Sequence, residues 1–422
     1  LLASIFKHWN ALSGGLDWDP IYWSIEMRNL INKLFNLKKP SKKNNSAKLE
    51  LLNLESRLTP STAQPIIVGQ GSLNDFTAVG TDSGGGPLVT ITFSNTDTLR
   101  NGPQYLSFFA YDPSFTGGVR VALGDVNGDG NREIITAAGV GGSPHIKVFT
   151  INQNPSSGDF TVNPQPIAQF YAFNLPTFKG GVYIAAGDTN NDGFDDIICG
   201  AGATGGPRVE VYGGSATGVN TTSPLNNFFA YPQKFNGGVV VTAGQRNSNA
   251  GEEVIVAPAS NAGYNIRSYD VNGLGSSPKL VDDFFAFNDF KSRGGLSIAA
   301  GNLDQGLGIT DLVVGTTNNQ FGVILNNGPT GIPVTNVFSG YTGAIRAGVA
   351  RDANGQEVAV ALAGPGGAPR ASIFSFQTYG LAESESTYIV PPKISLGSST
   401  LSTMPSLSKG YFTGGLFGTP TL

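Results

Sequence analysis

Short apolar runs rich in Val, Ile, Phe and Tyr recur along this chain, each bounded by Gly, Pro, Asn or Asp. In one stretch they read GVRVALG (118–124), REIITAAG (132–139), HIKVFT (145–150) and, past an insertion, IAQFYAF (167–173). No helical period of useful length lies between them, so the pattern predicts four short strands joined by tight turns.

The same four-run unit returns. Residues 108–149, 170–212, 228–269 and 284–325 align, and their Gly-Gly pairs begin at 117, 180, 237 and 294, that is 63, 57 and 57 residues apart. A worn copy follows at 338–374, and a truncated one precedes at 77–93 and 105–111. Four antiparallel strands repeated radially are the mark of a β-propeller blade. The period is longer than that of typical WD40 or kelch units. A linear solenoid is the runner-up, weakened because every strand boundary carries a turn suited to a hairpin. The expected fold is all-β, a propeller of four-stranded blades, six in number with seven as the alternative. The truncated first copy lacks a clear first strand. The segment YFTGGLFG (411–418) looks like SFTGGVRVALG (114–124) with nothing after it, so a C-terminal strand is expected to complete that blade and close the ring, which removes unpaired edges.

The polar stretch between the first two strands carries the candidate chemistry. In GDVNGDGNREI (124–134), Asp125, Asn127 and Asp129 offer side-chain oxygens, Asn131 a carbonyl oxygen, and Glu133 a closing carboxylate, while Gly130 permits the turn. An EF-hand is excluded: its twelfth position would be Thr136, inside an apolar run, and no helix flanks the loop. The next unit repeats the pattern with Asp188, Asn190, Asp192, the carbonyl of Phe194, and Asp196. Hard oxygen donors in this number favour Ca²⁺ over zinc or copper. Three later loops, around Gln245 to Glu253, Asn302 to Asp311, and Asp352 to Glu357, are short of carboxylates or altered in length, and are expected to hold no ion.

These loops, with GGSP (141–144), GGP (205–207) and GGAP (366–369), resemble FG-GAP (VCBS-like) repeats, the units of the integrin α-subunit propeller and of many bacterial surface proteins. The resemblance covers about residues 66–418. It implies a propeller whose blades carry structural Ca²⁺ between their first and second strands. The family's loop usually ends in Asp, so Glu133 departs from it.

Composition narrows the rest. The chain has 422 residues, 58 Gly, 25 Pro and a formal net charge of −4, which suits a turn-rich β protein and gives no basic surface for nucleic acid. No run of 18 apolar residues predicts a transmembrane helix. With one cysteine, Cys199, read as a buried apolar residue, there is no disulfide staple, and the two histidines, His8 and His145, are too far apart to suggest a zinc or catalytic cluster. All three tryptophans lie before Met27, so residues 1–26 read as an upstream extension. No ordinary signal peptide is visible. The stretch LELLNLESRLTPS (49–61) resembles the signature near the N-terminus of exported and surface proteins of planctomycete bacteria. Residues 1–61 are therefore expected to be a largely disordered, export-type segment, and residues 62–422 the propeller.

The expected function is a non-catalytic, exported calcium-binding module at the cell surface or outside the cell, acting in adhesion or interaction with an extracellular protein or polysaccharide. A lectin-like propeller is the alternative, and a polysaccharide-active enzyme a more distant one. The recurrent aromatics, such as Phe108-Phe109-Tyr111, read as interblade packing. The insertions 152–165 and 213–225 are candidate contact loops, or else solvated connectors. Asp282-Asp283 reads as a turn at a strand edge.

Overall fold

A computed structural model describes residues 76–389 except 94–103, 154–158, 176, 272–276, 289–292, 305–307, 326–331, 335–336, 339, 352–355, 364–370, 375 and 380–385. The export-type segment, the degenerate loop at 352–355 and the strand expected at 411–418 lie outside these residues.

The chain folds into a β-propeller of antiparallel sheets arranged in chain order. Sheet one has three strands, Phe76–Gly80, Leu88–Phe93 and Gln104–Phe109. Sheet two has four: Val119–Gly124, Glu133–Ala138, His145–Phe149 and Ala168–Tyr171. Sheets three, four and five repeat this order, starting on Val182–Gly187, Val239–Gly244 and Leu296–Gly301. Sheet six has three described strands, Ile345–Arg351, Glu357–Ala363 and Ala371–Phe374. Five sheets thus open on the first strand of the repeat, where the spacing predicts it. Sheet one opens one strand later, which leaves Phe76–Gly80 as its edge.

Packing explains why the first two strands of each unit are largely apolar instead of alternating, with a few buried polar residues such as Arg120 and Thr136. Both faces of a sheet meet a neighbouring sheet, so Val119–Gly124 and Glu133–Ala138 are buried throughout. The interface between sheets two and three joins Ile135, Ile146 and Phe170 to Val182, Ile184 and Ile197, with Cys199 buried among them as the sequence suggests. Each later boundary has its own cluster. One more cluster joins Val79 of sheet one to Val360 and Leu362 of sheet six.

The aromatic motif at each blade's end does two things, where the sequence predicts packing alone. Its fourth residue packs between sheets: the Tyr111 hydroxyl donates to the carbonyl oxygens of His145 (2.6 Å) and Thr136 (3.0 Å), and Tyr231 does the same to Asn265 (2.8 Å) and Val256 (3.2 Å). Its second residue faces outward: Phe109 is 43%, Tyr171 48% and Phe229 48% exposed. The strands end at Phe109 and Phe229, and the chain turns beyond them; an unbroken strand would put the second and fourth residues on one face.

The insertion at 152–165 is not an unstructured connector. It contains a hairpin of Ile151–Gln153 and Phe160–Val162, and Phe160 stacks on Phe93 of sheet one with centroids 4.0 Å apart. Asp282 and Asp283 also differ from expectation. They sit within the strand Lys279–Phe285, opposite a register shift at Ser268/Tyr269, and pair with Arg246 (3.0 Å) and Arg267 (3.1 Å). Two buried or half-buried guanidiniums, distant in sequence, hold them there.

Candidate metal centre

The loops between first and second strands gather where consecutive sheets meet. In the first, Asp125 folds the backbone around its own carboxylate: Oδ1 accepts from Gly128 N (2.8 Å) and Asp129 N (3.2 Å), and Oδ2 from Gly130 N (2.9 Å). Asn127 Oδ1 accepts from Asp129 N (2.9 Å), and Asp129 Oδ1 from Asn131 N (2.8 Å). Gly128 and Gly130 both take left-handed φ values, +70° and +83°, which such tight winding requires.

The second loop reproduces four of these five bonds. Asp188 Oδ1 accepts from Asp192 N (3.0 Å), Asp188 Oδ2 from Gly193 N (3.0 Å), Asn190 Oδ1 from Asp192 N (3.1 Å), and Asp192 Oδ1 from Phe194 N (3.0 Å). All side chains expected to act as ligands are therefore brought into one wound loop in each unit. Among the described residues, no three His, Cys, Asp or Glu side chains by themselves form a metal-holding group.

The oxygens are of the hard kind that a divalent cation takes, and the closing carboxylate of each loop resists ionisation as it stands. Burial, then the charge of Asp129, with Asp125 and Asp195 adding to it, pushes Glu133 up to about 8. Burial and the Asp192 charge push Asp196 up to about 7. In both, burial is the main cause, and the neighbouring carboxylates add repulsion that a positive partner would relieve. At present N–H donors fill part of that role: Asn127 Nδ2 donates to Asp129 Oδ2 (3.2 Å) and Glu133 Oε1 (3.1 Å), and Asn190 Nδ2 to Asp192 Oδ2 (2.8 Å). A cation would compete with these donors for the same oxygens.

The closing carboxylate has a second task that the sequence did not reveal. Glu133 Oε2 accepts from Val126 N (3.1 Å) and Asp196 Oδ2 from Thr189 N (3.1 Å). The degenerate loops keep the same bond: Arg246 N donates to Glu253 Oε2 (2.5 Å) and Leu303 N to Asp311 Oδ2 (2.9 Å). This acid therefore clamps the start of the turn whether or not the other ligand positions survive. Its recurrence at 253 and 311 was the available signal.

In the third loop, the Gln245 amide stands among the loop oxygens where the earlier loops carry Asp125 and Asp188. Arg246 is buried and donates to Asp282 Oδ2 (3.0 Å) and the Thr310 carbonyl (2.7 Å). Also missed from sequence were the latches that tie each loop to the next sheet. Asp125 N donates to Asp195 Oδ2 (2.8 Å) while Asp195 N donates to Asp125 O (2.9 Å). Glu252 N donates to Asp188 O (2.8 Å), and Thr310 N to Gln245 O (2.7 Å).

Comparison with known proteins agrees with this architecture. The model of the FG-GAP-like repeat matches residues 125–199, which span both complete loops. The chain is an FG-GAP-like repeat β-propeller protein. No curated protein matches it. Among solved structures it is similar to an exotype rhamnogalacturonan lyase (10% identity, TM-score 0.34, covering 72% of this chain and 70% of that one). It is also similar to a rhamnogalacturonan lyase of Bacillus licheniformis (11% identity, TM-score 0.37, covering 73% and 66%). Likeness this distant carries nothing about activity. Among the described residues, no helix is long and apolar enough to cross a membrane.

Proposed function

We propose that this protein is a calcium-binding propeller, exported to the cell surface or beyond, that acts without catalysis as a binding or adhesion module for an extracellular protein or polysaccharide. The observation that carries the calcium reading is the pair of all-oxygen loops in consecutive sheets with the same internal hydrogen bonds. In this reading Asp125, Asn127, Asp129, Asn131 and Glu133 hold one ion, and Asp188, Asn190, Asp192, Phe194 and Asp196 a second. The ions are structural: they relieve carboxylate repulsion in a chain with no disulfide, so binding and folding are linked. Residues 1–61 are assigned to export and residues 62–422 to the propeller.

The ring is assigned six blades. Contact of Val79 with Val360 and Leu362 supports this count, since it brings sheets one and six together.

A carbohydrate-binding reading is favoured by one specific feature. Phe109, Tyr171 and Phe229 occupy the same place on successive blades and present rings outward, as stacking on sugar faces requires.

The test is the thermal unfolding midpoint of the full chain in excess calcium and in chelator. A calcium-dependent rise that disappears when Asp125 and Asp188 are both changed to Ala supports the reading. An unchanged midpoint removes the metal and leaves polar turns on a propeller. Glycan binding by the parent, lost in Tyr171→Ala, would favour the carbohydrate alternative.

A further inference from the structure

The two complete loops are not separate. Phe194 belongs to the second loop through its backbone, yet its ring lies over Gly128 of the first: a Cβ on Gly128 would stand 2.5 Å from Phe194 Cε1. Its neighbour Asp195 makes the reciprocal pair of bonds with Asp125, at 2.8 and 2.9 Å. The insertion 213–225 then bridges both loops. Gly214 N donates to Asp196 Oδ1 of the second loop (3.2 Å), and Ser215 N to the Val126 carbonyl of the first (3.0 Å). Val219 of the same insertion packs on the core between sheets two and three. Phe194 and Asp195 thus join the two loops directly, and the insertion joins them through Gly214 and Ser215.

On the boundary with sheet four the arrangement changes. Glu252 N still donates to the Asp188 carbonyl (2.8 Å), but Gly251 stands where Phe194 stands in the second loop, so no ring reaches across. The loop beyond it is closed by the Gln245 amide, which donates to the carbonyls of Asn247 and Asn249.

We propose that the loops 125–133 and 188–196 take up their cations cooperatively, as one two-ion unit across the boundary between sheets two and three. The inference rests on the calcium reading above. Its physical basis is shared ordering. Fixing the first loop fixes Asp195 and the seat of the Phe194 ring, so the second loop has less freedom left to lose when its own ion binds. Coupling of this kind is reciprocal. Insertion 213–225 is then a brace on the ion pair and not a contact loop.

Calorimetric calcium titration of the full chain tests this. One variant silences the second loop (Asp188→Ala with Asp192→Ala) and another the first (Asp125→Ala with Asp129→Ala). Each is expected to weaken calcium binding at the surviving loop about fivefold or more, by a similar factor in both. Asp195→Ala, which removes one side-chain link and none of the assigned ligands, is expected to shrink that factor. Circular dichroism at saturating calcium serves as the check that each variant is folded. Two ions bound by the parent, with the surviving loop within about twofold of its parental affinity in either folded variant, overturns the coupling alone. No calcium bound by the parent overturns the calcium reading and the coupling with it. A drop in both variants that Asp195→Ala leaves undiminished overturns the role given to Asp195.

Discussion

The side-chain amide of Gln245 donates to the carbonyl oxygen of Asn249 at 2.6 Å, and to that of Asn247 at 2.7 Å. It occupies the place that Asp125 and Asp188 hold in the earlier loops. A nitrogen donor facing inward thus satisfies loop oxygens that a cation would otherwise draw together. Gln245→Asp removes both N–H groups and puts a carboxylate against two carbonyls. It is expected to cost about 1–3 kcal/mol in chelator, with much of that recovered in millimolar calcium. Urea unfolding of parent and variant, with and without calcium, reads this directly. A variant as stable as the parent in chelator would show that the amide is not closing the loop.

Glu210 offers a second, metal-independent test. Its buried carboxylate accepts from Phe173 N (2.6 Å), the Tyr212 hydroxyl (2.6 Å) and Arg208 Nη2 (2.7 Å). Phe173 is itself held at a left-handed φ of 65°. Glu210→Ala leaves three donors on two sheets without their acceptor and is expected to destabilise the chain by about 3 kcal/mol. The loss should be the same in calcium and in chelator. A loss below about 1 kcal/mol would mean that water replaces the carboxylate.

Gly128 and Gly130 separate backbone strain from ring contact. Both have positive φ, but a Cβ at Gly130 would meet nothing within 4 Å, whereas one at Gly128 would strike the Phe194 ring. Gly130→Ala is expected to cost about 1–2 kcal/mol for the left-handed alanine. Gly128→Ala should cost about 1–3 kcal/mol more for the overlap. The excess should fall in the background of Phe194→Ala. Equal costs for the two glycine variants would show that the ring yields without penalty.

How far the sequence could be read depended on the range of the interaction. The first strands at Val119, Val182, Val239, Leu296 and Ile345 were legible because a strand pressed on both faces is largely apolar and does not alternate. The wound loops at 125–133 and 188–196 were legible because their hydrogen bonds are local and recur with the repeat. The link of Asp125 to Asp195 spans 70 residues and uses an acid that reads as one more loop carboxylate. The pairing of Arg246 with Asp282 crosses 36 residues, and nothing in either local pattern announces it. The hairpin at 151–162 was hidden by its polar composition: Phe160 alone signals that it folds back, and its partner Phe93 belongs to another blade.

The last prediction concerns pH in the metal-free protein. Glu252 is half-buried where sheets three and four meet, and desolvation there, followed by the charges of Asp195, Asp188, Glu253 and Asp196, pushes its carboxyl up to about 8. Its ordinary value is 4.5. The folded chain therefore holds the proton more tightly than the unfolded one. Stability from this group is fully present below about 4.5, declines as the unfolded carboxyl ionises above that, and is lost as pH rises through 8. In chelator, the unfolding free energy is thus expected to fall between pH 5 and pH 8. Glu252→Gln carries no charge at any pH, so it should flatten that slope and exceed the parent in stability at pH 8. With calcium bound, cations beside Asp188 and Asp196 oppose the repulsion, and the parent's slope should shrink as well. Urea unfolding at pH 5, 6.5 and 8, in chelator and in calcium, distinguishes these outcomes. A parent in chelator whose stability rises across that range would mean that Glu252 is ionised and compensated in the folded chain.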